Sequence, residues 1–247
     1  MKLSNGIHAY LWPGLTMAEM QRYGNNCNSY LFANVLPEGK HVLVDPGQIV
    51  NETGQNCLDR LVSEMGKDGL AIEDVGLVIA THLHPDHYGA AEEIKGISGA
   101  MIATGEQEYQ FLKEGQRRMA AATASMVFSI PEINPDFLLG EGELRLGPEM
   151  SVEVLLTPGH SVGHIGIYSQ GMKAYFGGDL IFYGSTGRVD FPGGSAQMLK
   201  DSIERVARLD IDYLLTGHQY GGQGVLEGKE AILSNFDSIR RNVFPYL

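Results

Sequence analysis

Between Thr81 and His87 the chain reads Thr-His-Leu-His-Pro-Asp-His, placing three histidines and one aspartate within six residues. Histidine accounts for only 8 of 247 residues, so composition alone does not produce such crowding, and clustered imidazoles build a poor apolar core. Imidazole nitrogens and carboxylate oxygens are ligands for divalent metals, and the spacing suits that chemistry. In an extended chain residues two apart face the same side, so His82 and His84 can grip one cation together. Pro85 keeps His84 out of helical geometry. Asp86 and His87 stand at the start of a predicted helix, YGAAEEIK, point elsewhere and can supply a second cation. A nitrogen-and-oxygen donor set suits zinc, iron or manganese. Neither Cys27 nor Cys57 lies near the motif.

Such side chains need rigid elements behind them. Short runs rich in β-branched and aromatic residues, bounded by Gly, Pro and Asp, read as strands at 28–35, 41–47, 75–82, 100–105, 151–160, 163–169, 173–179 and 212–218. Four of them end alike. VGLVIA leads into the His82 motif, VEVLL into Thr157-Pro158-Gly159-His160, KAYF into Gly177-Gly178-Asp179 and DYLL into Thr216-Gly217-His218. Strand ends on one sheet edge commonly carry functional loops, so the four endings can converge on one cleft. Helical periodicity appears at 57–67, with Leu58, Leu61, Val62 and Met65 on one face. It recurs at 196–209, with Met198, Leu199, Ser202, Ile203, Val206 and Leu209 on one face, and at 228–243, with Ile232, Phe236 and Ile239 inward. The segment 106–128 also reads as helical and interrupts the strand series. The mixture defines an α/β protein.

Taken in order, HVLVDPG, THLHPDH, TPGHSVGH, FGGD and TGH resemble the metallo-β-lactamase fold superfamily over nearly the whole chain. The resemblance implies a four-layer αββα sandwich spanning 1–247 as a single domain, with a helical insertion near 106–136 and metals at one edge of the two sheets. Carried over by motif, His82, His84 and His160 would bind the first metal. Asp86, His87 and His218 would bind the second, and Asp179 would bridge both. The sulfur-free set with an aspartate at 179 is more similar to the glyoxalase II branch than to antibiotic-hydrolysing β-lactamases, which commonly place a cysteine there. Asp45 matches a family position that supports the ligands from behind. His164 belongs to the same PGHxxGH pattern and is expected to support the ligands rather than bind metal.

The implied chemistry is hydrolysis with two divalent metal cofactors, zinc first, iron or manganese as alternatives. A metal-bound hydroxide would attack the carbonyl of a thioester or ester, with Asp86 and Asp179 as the catalytic carboxylates. No serine or cysteine nucleophile is then needed. Arg188 matches a basic position that contacts the glycine carboxylate of glutathione in glyoxalase II, and Tyr183 is a second candidate for substrate contact; Tyr183 or Tyr220 could assist a lactone ring opening. Glyoxalase II, however, carries a helical C-terminal domain, and here only 29 residues follow His218. Other readings are a mononuclear iron persulfide dioxygenase, a lactonase and a non-catalytic metal-binding domain.

Composition narrows the partners. A formal net charge of -12 argues against nucleic acid and anionic membranes, both of which need basic patches. The expected partner is a small-molecule substrate. Two cysteines, no signal-peptide-like start and no long apolar run lead to the expectation of a cytoplasmic protein with free thiols. Apolar positions in 106–128 could serve equally as a lid or as the contact of a homodimer.

Overall fold

The apolar runs form strands, and most of them are buried on both faces. A computed structural model describes residues 1–247 except 4–5, 14–15, 123–130, 149 and 221; at 17, 20 and 116–122 it describes the backbone alone. One sheet runs in the order β1 (Ile7–Tyr10), β2 (Ser29–Phe32), β3 (His41–Val44), β4 (Val75–Ala80), β5 (Met101–Gly105) and β6 (Phe137–Leu139). Its first three strands pair antiparallel, and β3 to β6 pair parallel. The other sheet runs β14 (Val225–Glu227), β13 (Tyr213–Leu215), β10 (Ala174–Phe176), β9 (Ile165–Ser169), β8 (Ser151–Leu156) and β7 (Gly142–Arg145). It is antiparallel apart from β10 beside β13. A short hairpin, β11 (Ile181–Phe182) and β12 (Ser185–Thr186), follows β10.

The period-2 alternation of side chains sorts the core into three slabs. Tyr30, Phe32, Val42, Val44, Leu77 and Ile79 of the first sheet meet Val152, Val154, Ile165, Ile167, Phe176 and Leu215 of the second between the sheets. The intervening residues Leu31, Leu43 and Val78 point outward, against Leu58, Leu61 and Met65 of α2 (Cys57–Lys67) and Ile94 of α4 (Ala91–Ser98). On the far side Leu155, Tyr168, Tyr175 and Leu214 pack against Leu199, Ile203 and Val206 of α6 (Ala196–Val206) and Ile232, Phe236 and Ile239 of α7 (Lys229–Asn242). The architecture is therefore the expected αββα sandwich. Helix starts follow their caps: the Asn56 side chain accepts from Asp59 N–H at α2 and that of Ser195 from Met198 N–H at α6. The remaining helices are α1 (Met17–Tyr23), α3 (Pro85–Tyr88) and α5 (Glu106–Ala122). Among the described residues no helix is long and apolar enough to cross a membrane.

Two expectations need correction. Met198 is 44 % exposed. Leu199, Ser202, Ile203 and Val206 make the i, i+3, i+4, i+7 stripe, and Met198 stands one 100° step outside it. The expected insertion is helical over Glu106–Ala122, but 131–136 is irregular and its last residue, Asp136, accepts from Ile102 N–H at 2.8 Å. Positions 123–130 of that reading lie outside the described residues.

Candidate metal centre

The strand order brings the C-terminal ends of β3 and β4 in one sheet, and of β8, β10 and β13 in the other, to a common edge. Asp45 follows β3, the Thr81–His87 turn follows β4, His160 follows β8, Asp179 follows β10 and His218 follows β13. Backbone hydrogen bonds bind the two sheets here: Ile165 N–H donates to Thr81 O at 2.9 Å and Asn28 N–H to Gly217 O at 2.7 Å. Glycines permit the close approaches. A Cβ on Gly159 would lie 2.3 Å from the Leu199 backbone, and one on Gly163 2.1 Å from Glu108 N.

All seven predicted ligands come together. Three groups have donor atoms within 4.8 Å of one another: His82, His84 and His160; His82, His87 and Asp179; and Asp86, His87 and His218. The first and third are the two sets expected from the motifs. Asp179 stands between them, with Oδ1 3.2 Å from His87 Nε2, and Oδ2 3.5 Å from both His160 Nε2 and His218 Nε2.

Hydrogen bonds fix which nitrogens face inward. Asp45 accepts from Thr81 N–H (2.7 Å), Thr81 Oγ1–H (2.8 Å) and His87 Nδ1–H (2.9 Å). With its proton spent on Asp45, Thr81 Oγ1 accepts from His82 Nδ1–H at 3.1 Å. The Arg188 carbonyl accepts from His160 Nδ1–H at 2.7 Å. These tautomers leave lone pairs on Nε2 of His82 and His160, which lie 3.0 and 2.9 Å from His84 Nδ1. Three ring nitrogens thus converge with at most one proton of their own among them. In the second group His87 Nε2 is 3.2 Å from His218 Nε2, which is 3.3 Å from Asp86 Oδ2. Asp179 Oδ1 is fully buried and accepts no hydrogen bond. Converging lone pairs and an orphaned carboxylate oxygen are what a cation satisfies, so the donor set fits a metal.

The electrostatics agree. Burial, then repulsion from neighbouring imidazoles, holds His82 well below its ordinary value and His84 at about 4. Burial would also lower His87 and His218, but the surrounding carboxylates, Asp179 foremost, push both up to about 10. Asp179 and Asp86 resist burial and stay well below the carboxylate range because cationic His218 and His87 face them. Without a cation, the negative cluster recruits protons in its place.

His164 sits behind the site. Its Nδ1 is 2.8 Å from Thr157 Oγ1, its ring centroid is 5.2 Å from that of His82, and burial lowers it to about 3. His8 and His41 lie away from the centre, His8 paired with Asp68 and His41 accepting from Asn34 N–H. The two substrate-contact candidates fare differently. Arg188 lines the cleft of about 700 Å³ over the centre. Tyr183 is not among its lining residues and is 44 % exposed, because alternation along the hairpin turns Phe182 inward instead.

Several site residues carry no recognisable motif. Asn25 donates to Asp86 Oδ2 at 2.7 Å and accepts from Tyr220 O–H at 3.2 Å, while the Tyr220 ring stacks on His218 at 4.7 Å. Buried Glu108, in the first turn of α5, accepts from Leu83 N–H (3.1 Å), Ser161 O–H (2.9 Å) and Gly163 N–H (2.8 Å). It ties the His82–His84 loop to the His160–His164 loop. Phe111 and Leu112 of the same helix form a wall of the cleft.

Residues 22–218 match the family described as the metallo-beta-lactamase superfamily, and the chain belongs to it. It is 31 % identical over 207 residues to a probable metallo-hydrolase of Methanocaldococcus jannaschii, covering 81 % of this chain and 91 % of that protein. It is 32 % identical over 187 residues to a hydroxyacylglutathione hydrolase of Haemophilus influenzae, covering 73 % and 81 %. The fold is shared with a metallo-beta-lactamase family protein of Thermus thermophilus, at a TM-score of 0.69 and 20 % identity, over 95 % of this chain and 78 % of that one.

Proposed function

We propose that the protein is a metal-dependent hydrolase of small-molecule thioesters or esters, with a dinuclear centre. The observation that carries this reading is Asp179, whose two oxygens face ring nitrogens of both outer groups while Oδ1 lacks any hydrogen bond. His82, His84 and His160 would hold one metal, Asp86, His87 and His218 the other, and Asp179 would reach both. Zinc suits this set, as do iron and manganese. Divalent metals bound there would supply Lewis acidity and make water nucleophilic near neutral pH. The chain's own residues prepare that chemistry. Asp45 and the Arg188 carbonyl hold His87 and His160 in the tautomer that presents Nε2. Asn25 fixes the rotamer of Asp86. Phe182, Phe191 and Leu83 wall the cleft with apolar surface and limit water around the scissile bond. Support also comes from the two relatives named as hydrolases, one of them a hydroxyacylglutathione hydrolase.

The test is metal analysis of protein purified without added metal, combined with a panel of thioesters, esters and lactones. About two zinc or manganese per chain with turnover supports the reading. Asp179→Ala should lower both metal content and activity. One iron, with oxygen consumption on a persulfide, would overturn it.

A further inference from the structure

Glutathione recognition through Arg188 is one expectation from the sequence, and the local geometry speaks against it. The Arg188 guanidinium is already engaged: Nε donates to Asp190 Oδ1 at 2.6 Å and Nη2 to Asp190 Oδ2 at 2.5 Å. This two-pronged geometry is the one an incoming carboxylate would need. The guanidinium also lies 4.1 Å from the centre of the Phe191 ring, which sets its edge against His84 at 5.3 Å. Stacking holds Arg188 over the cleft rim while Asp190 neutralises it. Among the described lining residues Arg188 is the only lysine or arginine. Leu83, Phe111, Leu112, Phe182, Phe191 and Pro192 give the cleft an apolar wall beside the donor cluster. The formal net charge of -12 further repels an anion.

We infer that Asp190 acts as an internal stand-in for a substrate carboxylate, and that the cleft selects thioesters or esters whose acyl and leaving groups are both uncharged and apolar. This rests on the hydrolase reading above. The pair is exposed, with side-chain exposures of 59 % and 64 %, so its effect is modest: exposed pairs change an equilibrium by up to about fivefold. Asp190 is a specificity residue acting through Arg188.

The experiment compares two thioesters of one acyl group, hexanoyl, on neutral N-acetylcysteamine and on glutathione. Wild type should show the higher kcat/KM on the neutral thioester. Asp190→Asn frees Arg188 and should shift the ratio of the two kcat/KM values toward the glutathione thioester by about fivefold, mainly through KM. Adding Arg188→Met to that variant should return the ratio to its wild-type value, an effect that general loosening of the loop would not produce. A wild-type preference for the glutathione thioester, or a ratio that Asp190→Asn leaves unchanged, overturns the inference while leaving the hydrolase reading intact. Absence of turnover on both thioesters, and on the wider panel, overturns the hydrolase reading and this inference with it.

Discussion

Replacing Glu108 should loosen the metal centre although it holds no position among the donors. Its carboxylate accepts from Leu83 N–H, Ser161 O–H and Gly163 N–H, and the residue is 4 % exposed. Alanine leaves three buried donors without partners, each costing about 1–3 kcal/mol. The Ser161 hydroxyl can rotate toward another acceptor, so the two remaining N–H groups set a summed loss of about 2–6 kcal/mol. For a chain of this size about 1 kcal/mol moves Tm by about 2–4 °C, giving a fall of roughly 4–24 °C. Glutamine keeps the shape and one acceptor oxygen but turns an NH2 toward at least one donor, and should fall between. The assay is calorimetric unfolding of metal-loaded wild type, Glu108→Gln and Glu108→Ala, with metal content measured after dialysis against a weak chelator. The order wild type, Gln, Ala is expected in both Tm and retained metal. If Glu108→Ala melts within about 2 °C of wild type and keeps its metal, the bridge between the two histidine loops contributes nothing to stability or to metal retention.

Other outcomes follow from the same geometry. Asp45→Asn removes the acceptor that fixes the His87 tautomer and should weaken metal binding by about 10–100-fold, read by competition with a chromophoric chelator. Carboxylates push His87 and His218 up to about 10, so both are proton-loaded below that pH in the metal-free protein and must shed protons to bind metal. Affinity at the Asp86–His87–His218 group should therefore rise with pH up to that value and fall as pH drops. Titration calorimetry in buffers of different ionisation enthalpy should show at least about one proton released per metal bound there near neutral pH, and zero release would contradict the assignment. In the core, Phe32 is fully buried with its ring 4.4 Å from that of Phe176. Phe32→Ala should cost about 3–5 kcal/mol in denaturant unfolding, and a loss below about 1 kcal/mol would mean the cavity collapses.

Legibility from sequence follows the range of the interactions. The His82, His84, Asp86 and His87 donors announce themselves because four ligand types share one turn, and His160, Asp179 and His218 because each ends an apolar strand in a glycine-bearing turn. The strands that support them show as β-branched runs buried on both faces. Glu108 and Asn25 give no such signal. The partners of Glu108 lie 25, 53 and 55 residues away and those of Asn25 at the site, Asp86 and Tyr220, lie 61 and 195 away, so only the tertiary fold brings them together. Short strands such as β1 and β14, of four and three residues, hold too few residues to show a period. Tyr183 misses the cleft by a single step of alternation, since on a two-residue strand the inward position belongs to Phe182. Arg188 stands out in the sequence for its side chain, while its carbonyl orients His160 and its guanidinium is taken by Asp190.

Each of the three donor groups takes two members from the turn 82–87 and one from a later loop: His160, Asp179 and His218 complete one group apiece. The turn is thus a common pedestal and the later loops are separate keystones. A change in the turn disturbs more than one group when it touches His82 or His87, whereas a change in one later loop alters one group and leaves the other two with their members. A fragment ending before residue 160 carries a two-donor remnant of every group and completes none. Along the chain the completing members come at 160, 179 and 218, so the donor list of the last group is filled only at His218.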